Sequence, residues 1–98
     1  MPLAGTSTYR VPVAMVRGRA VLLGGMYGGR RPQRDCLVRA FDASGREVDG
    51  TVTDDLGAFA LDLAPGLYRL RAEFGMPVEQ TVEVEDQDLS MDLVWHIR

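Results

Sequence analysis

The stretch TDDLGAFALDLAPGLYRL, residues 53–70, decides the fold of this chain. Every second residue from Phe59 to Leu63 is large and apolar, while the residues between them are small or acidic. This alternation predicts a strand over Ala58 to Leu63 with one buried face, because successive side chains of a strand point to opposite faces of its sheet. The flanking segments 54–57 and 64–66 hold acids, proline and glycine that are typical of tight turns.

Further runs of alternating apolar and polar residues lie on both sides of this stretch, and turn residues separate them. No segment shows a convincing helical stripe. The spacing of about ten residues predicts a seven-stranded antiparallel Greek-key β-sandwich. The predicted strands are Tyr9 to Leu23, Asp35 to Asp42, Glu47 to Thr53, Ala58 to Leu63, Leu67 to Phe74, Val78 to Glu85 and Leu89 to Ile97.

Length and charge limit the classes of function. The chain has 98 residues, 46% of them hydrophobic and 26% charged, as expected for one globular domain. The net charge of -3 argues against nucleic acid or an anionic membrane surface as the main partner. Residues 1–49 hold eight Arg against four acids, and residues 50–98 hold three Arg against ten, which gives +4 and -7. Pro12 and the arginines of the first run predict a basic edge strand, complementary in sign to the acidic strand Val78 to Glu85. These strands meet either within one monomer or between chains, and in the second case their charges would drive self-assembly.

We expect no catalytic residue, no cofactor and no metal ion. Cys36 is the only cysteine and His96 the only histidine, so the chain cannot supply a zinc site of the usual kind. Cys36 alternates with apolar residues, which favours a buried hydrophobe over a reactive thiol, and His96 reads as an exposed strand residue. Acids that could hold calcium are better explained as turn-capping or solvated residues; they are Asp54, Asp55, Glu85, Asp86 and Asp88.

A glycine-rich loop, residues 24–32, follows the first predicted strand. It lacks the Gly-Lys-Ser/Thr ending and the following helix of a phosphate-binding loop, so a flexible hairpin tip is the better interpretation. Clustered apolar residues on the outer face of a sheet, here Leu37 and Phe41, indicate a surface that is covered either by the N-terminal extension or by a second chain. The candidate partner surface therefore combines the loop with outer-face residues of the second run, namely Tyr27, Arg30, Arg31, Leu37 and Phe41.

Between about Val16 and Trp95 the chain resembles the carboxypeptidase regulatory-like domain, a transthyretin-like (prealbumin-like) β-sandwich. The resemblance implies a domain over residues 16–98 and an N-terminal extension over residues 1–15. It also implies a non-catalytic module, of the kind that is attached to peptidases, transporters and surface proteins or stands alone. The residues that carry it are Gly18, Val38, Asp42, Gly45, Thr53, Asp54, Gly57, Phe59, Leu63, Pro65, Gly66, Tyr68 and Leu70.

Related hydroxyisourate hydrolases share the transthyretin-like fold but rely on several histidines and a C-terminal Tyr-Arg-Gly-Ser motif. This chain has one histidine and ends in Trp-His-Ile-Arg. The departure from the motif argues against that activity.

Three functional hypotheses remain. The first is a non-catalytic module for protein interaction or assembly, with a protein partner; a homo-oligomer is the less favoured variant. The second is a carbohydrate- or peptide-binding accessory domain, for which the aromatic candidates are Tyr9, Tyr27, Phe41 and Trp95. The third is a small enzyme, which would require His96 to meet Cys36 or an acid pair. No signal peptide or membrane helix is readable, so the expected compartment is the cytoplasm unless a signal has been removed.

Overall fold

The computed structural model describes residues 13–24 and 29–97, and these residues form an all-β protein. Within these ranges no helix is long and apolar enough to span a membrane. The strands in chain order are β1 (Ala14–Gly24), β2 (Arg30–Pro32), β3 (Leu37–Phe41), β4 (Glu47–Val52), β5 (Ala58–Leu63), β6 (Gly66–Phe74), β7 (Met76–Val84), β8 (Leu89–Ser90) and β9 (Leu93–Ile97).

One sheet has four antiparallel strands in the order β4-β3-β6-β7. In its centre Val38 lies opposite Ala72 and Ala40 opposite Leu70, and none of these four side chains is exposed. The intervening residues of β3 and β6 face outward. This sheet therefore has the one-sided burial that the alternation predicts.

The other sheet is built around β1. On one side β1 pairs with β5 and then with β2, both antiparallel. On the other side it pairs with β8 and then with β9, both parallel. Eleven residues of one strand thus hold four shorter strands together.

The two sheets pack face to face around one hydrophobic core, which confirms the β-sandwich prediction. The predicted inward faces of β5 and β6 are confirmed at every position whose side chain is described. The buried apolar residues are Ala14, Val16, Ala20, Val21, Cys36, Val38, Ala40, Phe59, Leu61, Leu63, Tyr68, Leu70, Ala72, Val82, Val84, Leu93 and Trp95.

The strand number and directions differ from the prediction. The described residues form nine strands, because part of the glycine-rich loop, Arg30 to Pro32, pairs with β1 and because the last run is split at Met91 and Asp92. The prediction that all pairs are antiparallel is wrong for β8 and β9. Side-chain alternation reports which face a residue occupies and carries no information on strand direction.

The prediction of a basic edge strand is also wrong. β1 carries Arg17 and Arg19 but has strands on both sides, so it is the central strand of its sheet. Pro12 lies outside the described residues. Edge positions are instead held by β4 and the acidic strand β7 in the four-stranded sheet, and by shorter strands such as β2 and β5 beside β1.

Gly18 explains the break between β8 and β9. A Cβ atom at Gly18 would lie 1.5 Å from the backbone oxygen of Met91 and 3.0 Å from the Phe59 ring. Only glycine therefore lets the 91–92 segment approach β1 this closely. Asp92 then accepts a hydrogen bond from the Arg19 backbone N–H through Oδ1, at 3.1 Å, so a side chain takes the place of a strand partner.

Two turns use the same chemistry, an aspartate followed three residues later by a glycine with positive φ. Asp54 Oδ1 accepts hydrogen bonds from the backbone N–H groups of Leu56 and Ala58, and the Asp54 carbonyl accepts one from Gly57. Asp42 does the same for the turn between β3 and β4. The turn-capping interpretation of Asp54 is therefore confirmed.

Tyr68 anchors the end of β5 to β6. Its ring is buried, and its hydroxyl donates a 2.6 Å hydrogen bond to the carbonyl oxygen of Ala64, four residues upstream. A tyrosine that bonds back to the preceding corner is a recurrent feature of β-sandwiches.

Candidate functional site

The residues predicted to form one partner surface lie on two different sheets. Arg30 and Arg31 are exposed on β2, beside β1. Leu37, 38% exposed, and Phe41, half-buried, lie on β3 and face outward from the four-stranded sheet. Tyr27 lies outside the described residues. The structure therefore brings Arg30 and Arg31 together, and separately Leu37 and Phe41.

Most charged side chains on the outer face of the four-stranded sheet form ion pairs with one another. Arg39 Nη2 lies 2.5 Å from Glu73 Oε2, and Glu79 lies 3.8 Å from both Arg69 and Arg71. The guanidinium carbon of Arg69 also lies 6.0 Å from the centre of the Phe41 ring. Phe41 is thus partly covered by a neighbour in the same chain, which makes it a poor stacking platform.

An open groove of about 780 Å³ lies on the outer side of the β1–β5 sheet. β5 lies between β1, with which it pairs, and β4, which packs beside it, so the groove follows β5. Its floor carries the small side chains of Ala58 and Ala60. The other lining residues are Met15, Arg17, Gly18, Arg19, Arg30, Thr51, Val52, Asp54, Phe59, Ser90 and Asp92.

Arg17 and Arg19 form one wall of this groove. They are two residues apart on β1 and both exposed, so their side chains leave the same face of the sheet about 7 Å apart. Arg17 lies opposite Ala60 on β5 and Ser90 on β8, and Arg19 lies opposite Ala58. Because the neighbours are small, both guanidinium groups remain accessible.

The two carboxylates that line the groove are already engaged. Asp92 Oδ2 lies 2.6 Å from Arg30 Nη2, and its Oδ1 binds the Arg19 backbone N–H. Asp54 Oδ1 caps its own turn. Neither Arg17 nor Arg19 forms an ion pair with any described residue; Arg17 Nε approaches only the Met15 sulfur, at 2.8 Å. The groove therefore presents two guanidinium groups that lack an ion-pair partner among the described residues, and its lining, with Arg30, Asp54 and Asp92 included, carries a net charge of +1.

The other candidate groups stay apart from this groove. Cys36 is fully buried and its thiol donates to the Glu73 carbonyl oxygen at 3.1 Å, and burial raises the pKa of that thiol. His96 is exposed on β9. Among the described residues, no group of three or more His, Cys, Asp or Glu side chains has an arrangement suited to a metal ion.

Trp95 cannot serve as an exposed carbohydrate platform, because it is 6% exposed and belongs to the core. That candidate from the sequence is wrong. Its place in β9, opposite Leu22 of β1, accounts for the burial.

Of the groove residues, Arg30 alone belongs to the surface predicted from the sequence. The sequence predicts Arg17 and Arg19 to lie on a basic edge strand and places Asp92 in no site. A signal was present in the Arg17-Gly18-Arg19 spacing, which places both guanidinium groups on one face of any strand. The small residues at positions 58 and 60 become informative only when β5 is known to lie beside β1.

Comparison with known proteins identifies similar folds. No family model matches the chain, and no curated protein matches it. Among solved structures, a candidate carbohydrate-binding protein from Pseudomonas aeruginosa has a TM-score of 0.69 at 16% identity, over 93% of this chain and 94% of that one. A DUF3823 family protein from Parabacteroides merdae gives 0.64 at 15%, over 87% of this chain and 46% of its own.

The Bacillus anthracis TIE protein also gives a TM-score of 0.64, at 12% identity over 85% of this chain and 17% of that one. In the last two proteins the match thus spans less than half of the longer chain. At these identities the similarity establishes a shared β-sandwich fold.

Proposed function

We propose that this domain is a non-catalytic binding module whose arginine groove holds an acidic segment of a protein partner. The observation that carries the proposal is the pair Arg17 and Arg19, two guanidinium groups without ion pairs above a floor of small side chains. Guanidinium groups hold carboxylates with paired hydrogen bonds. A groove open along its length suits an extended chain better than an enclosed small molecule.

The finer assignment is to the carboxypeptidase regulatory-like type of transthyretin-like domain. Three residues of the resemblance support it through their structural roles. Gly18 allows the 91–92 segment to approach β1, Gly57 has positive φ in a turn, and Tyr68 bonds to its own corner. Domains of this type are typically non-catalytic modules, and the net charge of -3 disfavours a nucleic-acid partner.

The absence of enzymatic activity is part of the proposal. Cys36 is buried and His96 is exposed, so the chain's only cysteine and only histidine do not form a nucleophile and base pair. We expect no hydrolysis of esters, peptides or ureides above background, and no change of melting temperature on treatment with a chelator.

Carbohydrate binding is the second candidate. The similarity to the P. aeruginosa protein favours it, and the same two arginines would suit a polymer that carries uronic acid carboxylates. Against it, Trp95 is buried and Phe41 is partly covered by Arg69, so these aromatic candidates offer no stacking surface for a sugar ring.

The test compares two polyanions on matched variants. Fluorescence anisotropy would measure the affinity for a labelled oligoglutamate peptide and for polygalacturonate. The double variant Arg17→Gln/Arg19→Gln should bind the peptide about tenfold more weakly, because charge-assisted hydrogen bonds are lost. Arg31→Gln removes the same kind of charge from β2, outside the groove, and should change the affinity by no more than about twofold.

Each result decides between the candidates. Binding of the peptide that depends on Arg17 and Arg19 supports the protein-partner proposal. Binding of polygalacturonate alone favours the carbohydrate candidate, and binding of neither polymer contradicts the assignment of the groove as a binding site.

A further inference from the structure

The two edge strands of the four-stranded sheet, β4 and β7, differ in how their outward backbone groups are occupied. On the β4 side, the Asp49 carboxylate accepts a hydrogen bond from the Gly50 N–H at 2.8 Å and another from the Asp62 N–H of β5 at 3.3 Å. One side chain thus occupies a backbone donor on each of the two adjacent strands. On the opposite side, no described strand pairs with β7 beyond its partner β6.

The direction of the β7 backbone groups follows from Pro77 and from the pairing of β3. Pro77 lies opposite Glu73 but has no N–H to donate, so this pair is not a hydrogen-bonded one. The pairing of β3 leads to the same conclusion. The Cys36 carbonyl accepts a hydrogen bond from the Thr53 N–H on the β4 side, so the next residue, Leu37, directs its backbone groups to Glu73 of β6. The backbone groups of Glu73 therefore point to β3 and away from Pro77. The odd-numbered residues of β7 therefore direct their N–H and C=O groups away from β6.

This edge is long and regular. β7 has nine residues in unbroken register with β6, against about five or six in a typical strand. Edges are usually protected by proline, by charged side chains, by a bulge or by a charge that points into the sandwich. β7 has Pro77 near its start and the outward charges of Glu79 and Glu83, but it has no bulge and no charge at its inward positions, which include Val78, Val82 and Val84.

A groove of about 410 Å³ runs beside the same edge. Residues 80–83 of β7 line one side, and Leu89, Met91 and Asp92 line the other. Leu89 and Met91 are half-buried and pack against the core. A strand added to β7 would place every second side chain over these two apolar residues.

The acidic residues around the free edge of β7 determine which side chains the added segment would carry on its other face. Glu83 faces outward next to the free edge, and the following turn adds Glu85, Asp86 and Asp88, all exposed. None of these four forms an ion pair with a described residue, whereas Glu79 is shared by Arg69 and Arg71. Antiparallel pairing of β7 with a second copy, centred on Thr81, would set Glu83 of each copy opposite Glu79 of the other, a like-charge pair that opposes self-association.

From these observations we propose that β7 is a strand-addition site for an extended segment that alternates apolar and basic residues. The backbone N–H groups of Glu79, Thr81 and Glu83 and the carbonyls of the odd-numbered residues would pair with the segment. Its apolar side chains would cover Leu89 and Met91, and its basic side chains would lie beside Glu83. This site borders the arginine groove at Asp92, which lines both, but the arginine groove selects the opposite charge.

The experiment uses a labelled peptide of about eight residues that alternates Val and Arg, with a control that has the same composition in scrambled order. A second control carries N-methyl groups on alternate residues, which removes its backbone donors along one edge. We expect the alternating peptide to bind at least about tenfold more tightly than either control. Equal binding of all three would overturn strand addition.

Thr81→Pro tests the protein side of the pairing. Thr81, like Pro77, is an odd-numbered residue of β7 whose backbone N–H position faces the free edge. Proline at position 81 therefore leaves the hydrogen bonds between β6 and β7 intact. Binding should weaken at least about tenfold in Thr81→Pro and stay within about twofold in Thr81→Ala. Unchanged binding in Thr81→Pro contradicts the proposal.

Amide hydrogen exchange keeps the test decisive if Thr81→Pro fails to fold. In the free protein the amides of Glu79, Thr81 and Glu83 should exchange faster than those of Gln80 and Val82, and the alternating peptide should protect the first three. Protection that instead rises with protein concentration would show a second copy on β7, and exchange unaffected by the peptide would exclude strand addition. The double variant Arg17→Gln/Arg19→Gln should leave the peptide binding and the amide protection of β7 unchanged. A failure of strand addition is therefore distinguishable from a failure of the proposed function of the arginine groove.

Discussion

Single residues set the geometry that the groove needs, and Gly18 is the clearest case. The Gly18→Ala substitution places a methyl group 1.5 Å from the Met91 backbone oxygen. We expect it to lower the free energy of unfolding by about 3 kcal/mol or more, because backbone atoms rather than a flexible side chain must move.

Gly50→Ala is the matched control for this substitution. Its Cβ would find its nearest neighbour at 3.5 Å, so the cost should stay below about 1 kcal/mol. Urea denaturation monitored by Trp95 fluorescence measures both changes. Equal costs at the two positions would show that the 91–92 segment does not depend on Gly18.

Asp42 predicts a pH dependence of stability. The hydrogen bond from the Ser44 hydroxyl and that from the Arg46 backbone N–H lower the pKa of the Asp42 carboxyl below its usual value. A carboxyl whose pKa is lowered by folding stabilises the protein above its unfolded-state pKa of about 3.9 and loses that contribution as the pH falls through the folded-state value.

The wild-type chain should therefore lose more stability than Asp42→Asn when the pH is lowered from about 5 to about 2. Urea midpoints across that range test this expectation. Parallel profiles for the two proteins would mean that the Asp42 hydrogen bonds add nothing to its ionised form.

At the scale of the strand, the inward faces make a prediction about packing. Leu70 on β6 is fully buried and Phe59 on β5 is 5% exposed. Truncation of either to alanine should cost about 2 to 5 kcal/mol, since each leaves a cavity in the core. Leu67→Ala, on β6 but at a 54% exposed position, should cost less than about 1 kcal/mol. Similar losses at Leu70 and Leu67 in urea denaturation would mean that the strand faces are misassigned.

The limits of a strand are predicted correctly where turn residues flank it in the sequence. β5 has the predicted limits Ala58 to Leu63, because a turn aspartate precedes it and the Pro65-Gly66 turn follows it. β2 was missed because Arg30 to Pro32 are exposed on both faces and form a strand only through pairing with β1. Parallel β8 and β9 were missed because direction depends on how the chain returns across the sandwich.

The candidate site was predicted only in part, for the same reason. The sequence predicts Arg30 as part of the partner surface, and Arg30 does line the groove. The sequence predicts Arg17 and Arg19 to be edge residues, because it does not show which strand is central. The groove depends on β5 and β4 lying beside β1, a long-range arrangement that alternation within one strand cannot encode.

At the scale of the whole molecule, the charge split of the sequence is resolved within one chain. Among the described residues, three ion pairs join the basic half, residues 1–49, to the acidic half, residues 50–98: Arg30 with Asp92, Arg34 with Asp55 and Arg39 with Glu73. We therefore expect a monomer at about 100 µM protein in both 0.05 M and 0.5 M salt, since screening of exposed charges would matter only for pairs between chains. Sedimentation velocity measures this directly. A dimer that dissociates as the salt concentration rises would restore charge-driven assembly.

The arginine groove is the central claim, and an amide chemical-shift map of the isotope-labelled protein titrated with oligoglutamate tests it most directly. The account predicts that shifts concentrate on Arg17, Arg19, Ala58, Ala60 and Ser90, and that they fade as ionic strength rises because the contacts are charged and exposed. Shifts centred on Arg31 of β2 or on Leu37 of the four-stranded sheet, or no shifts at all, would contradict it.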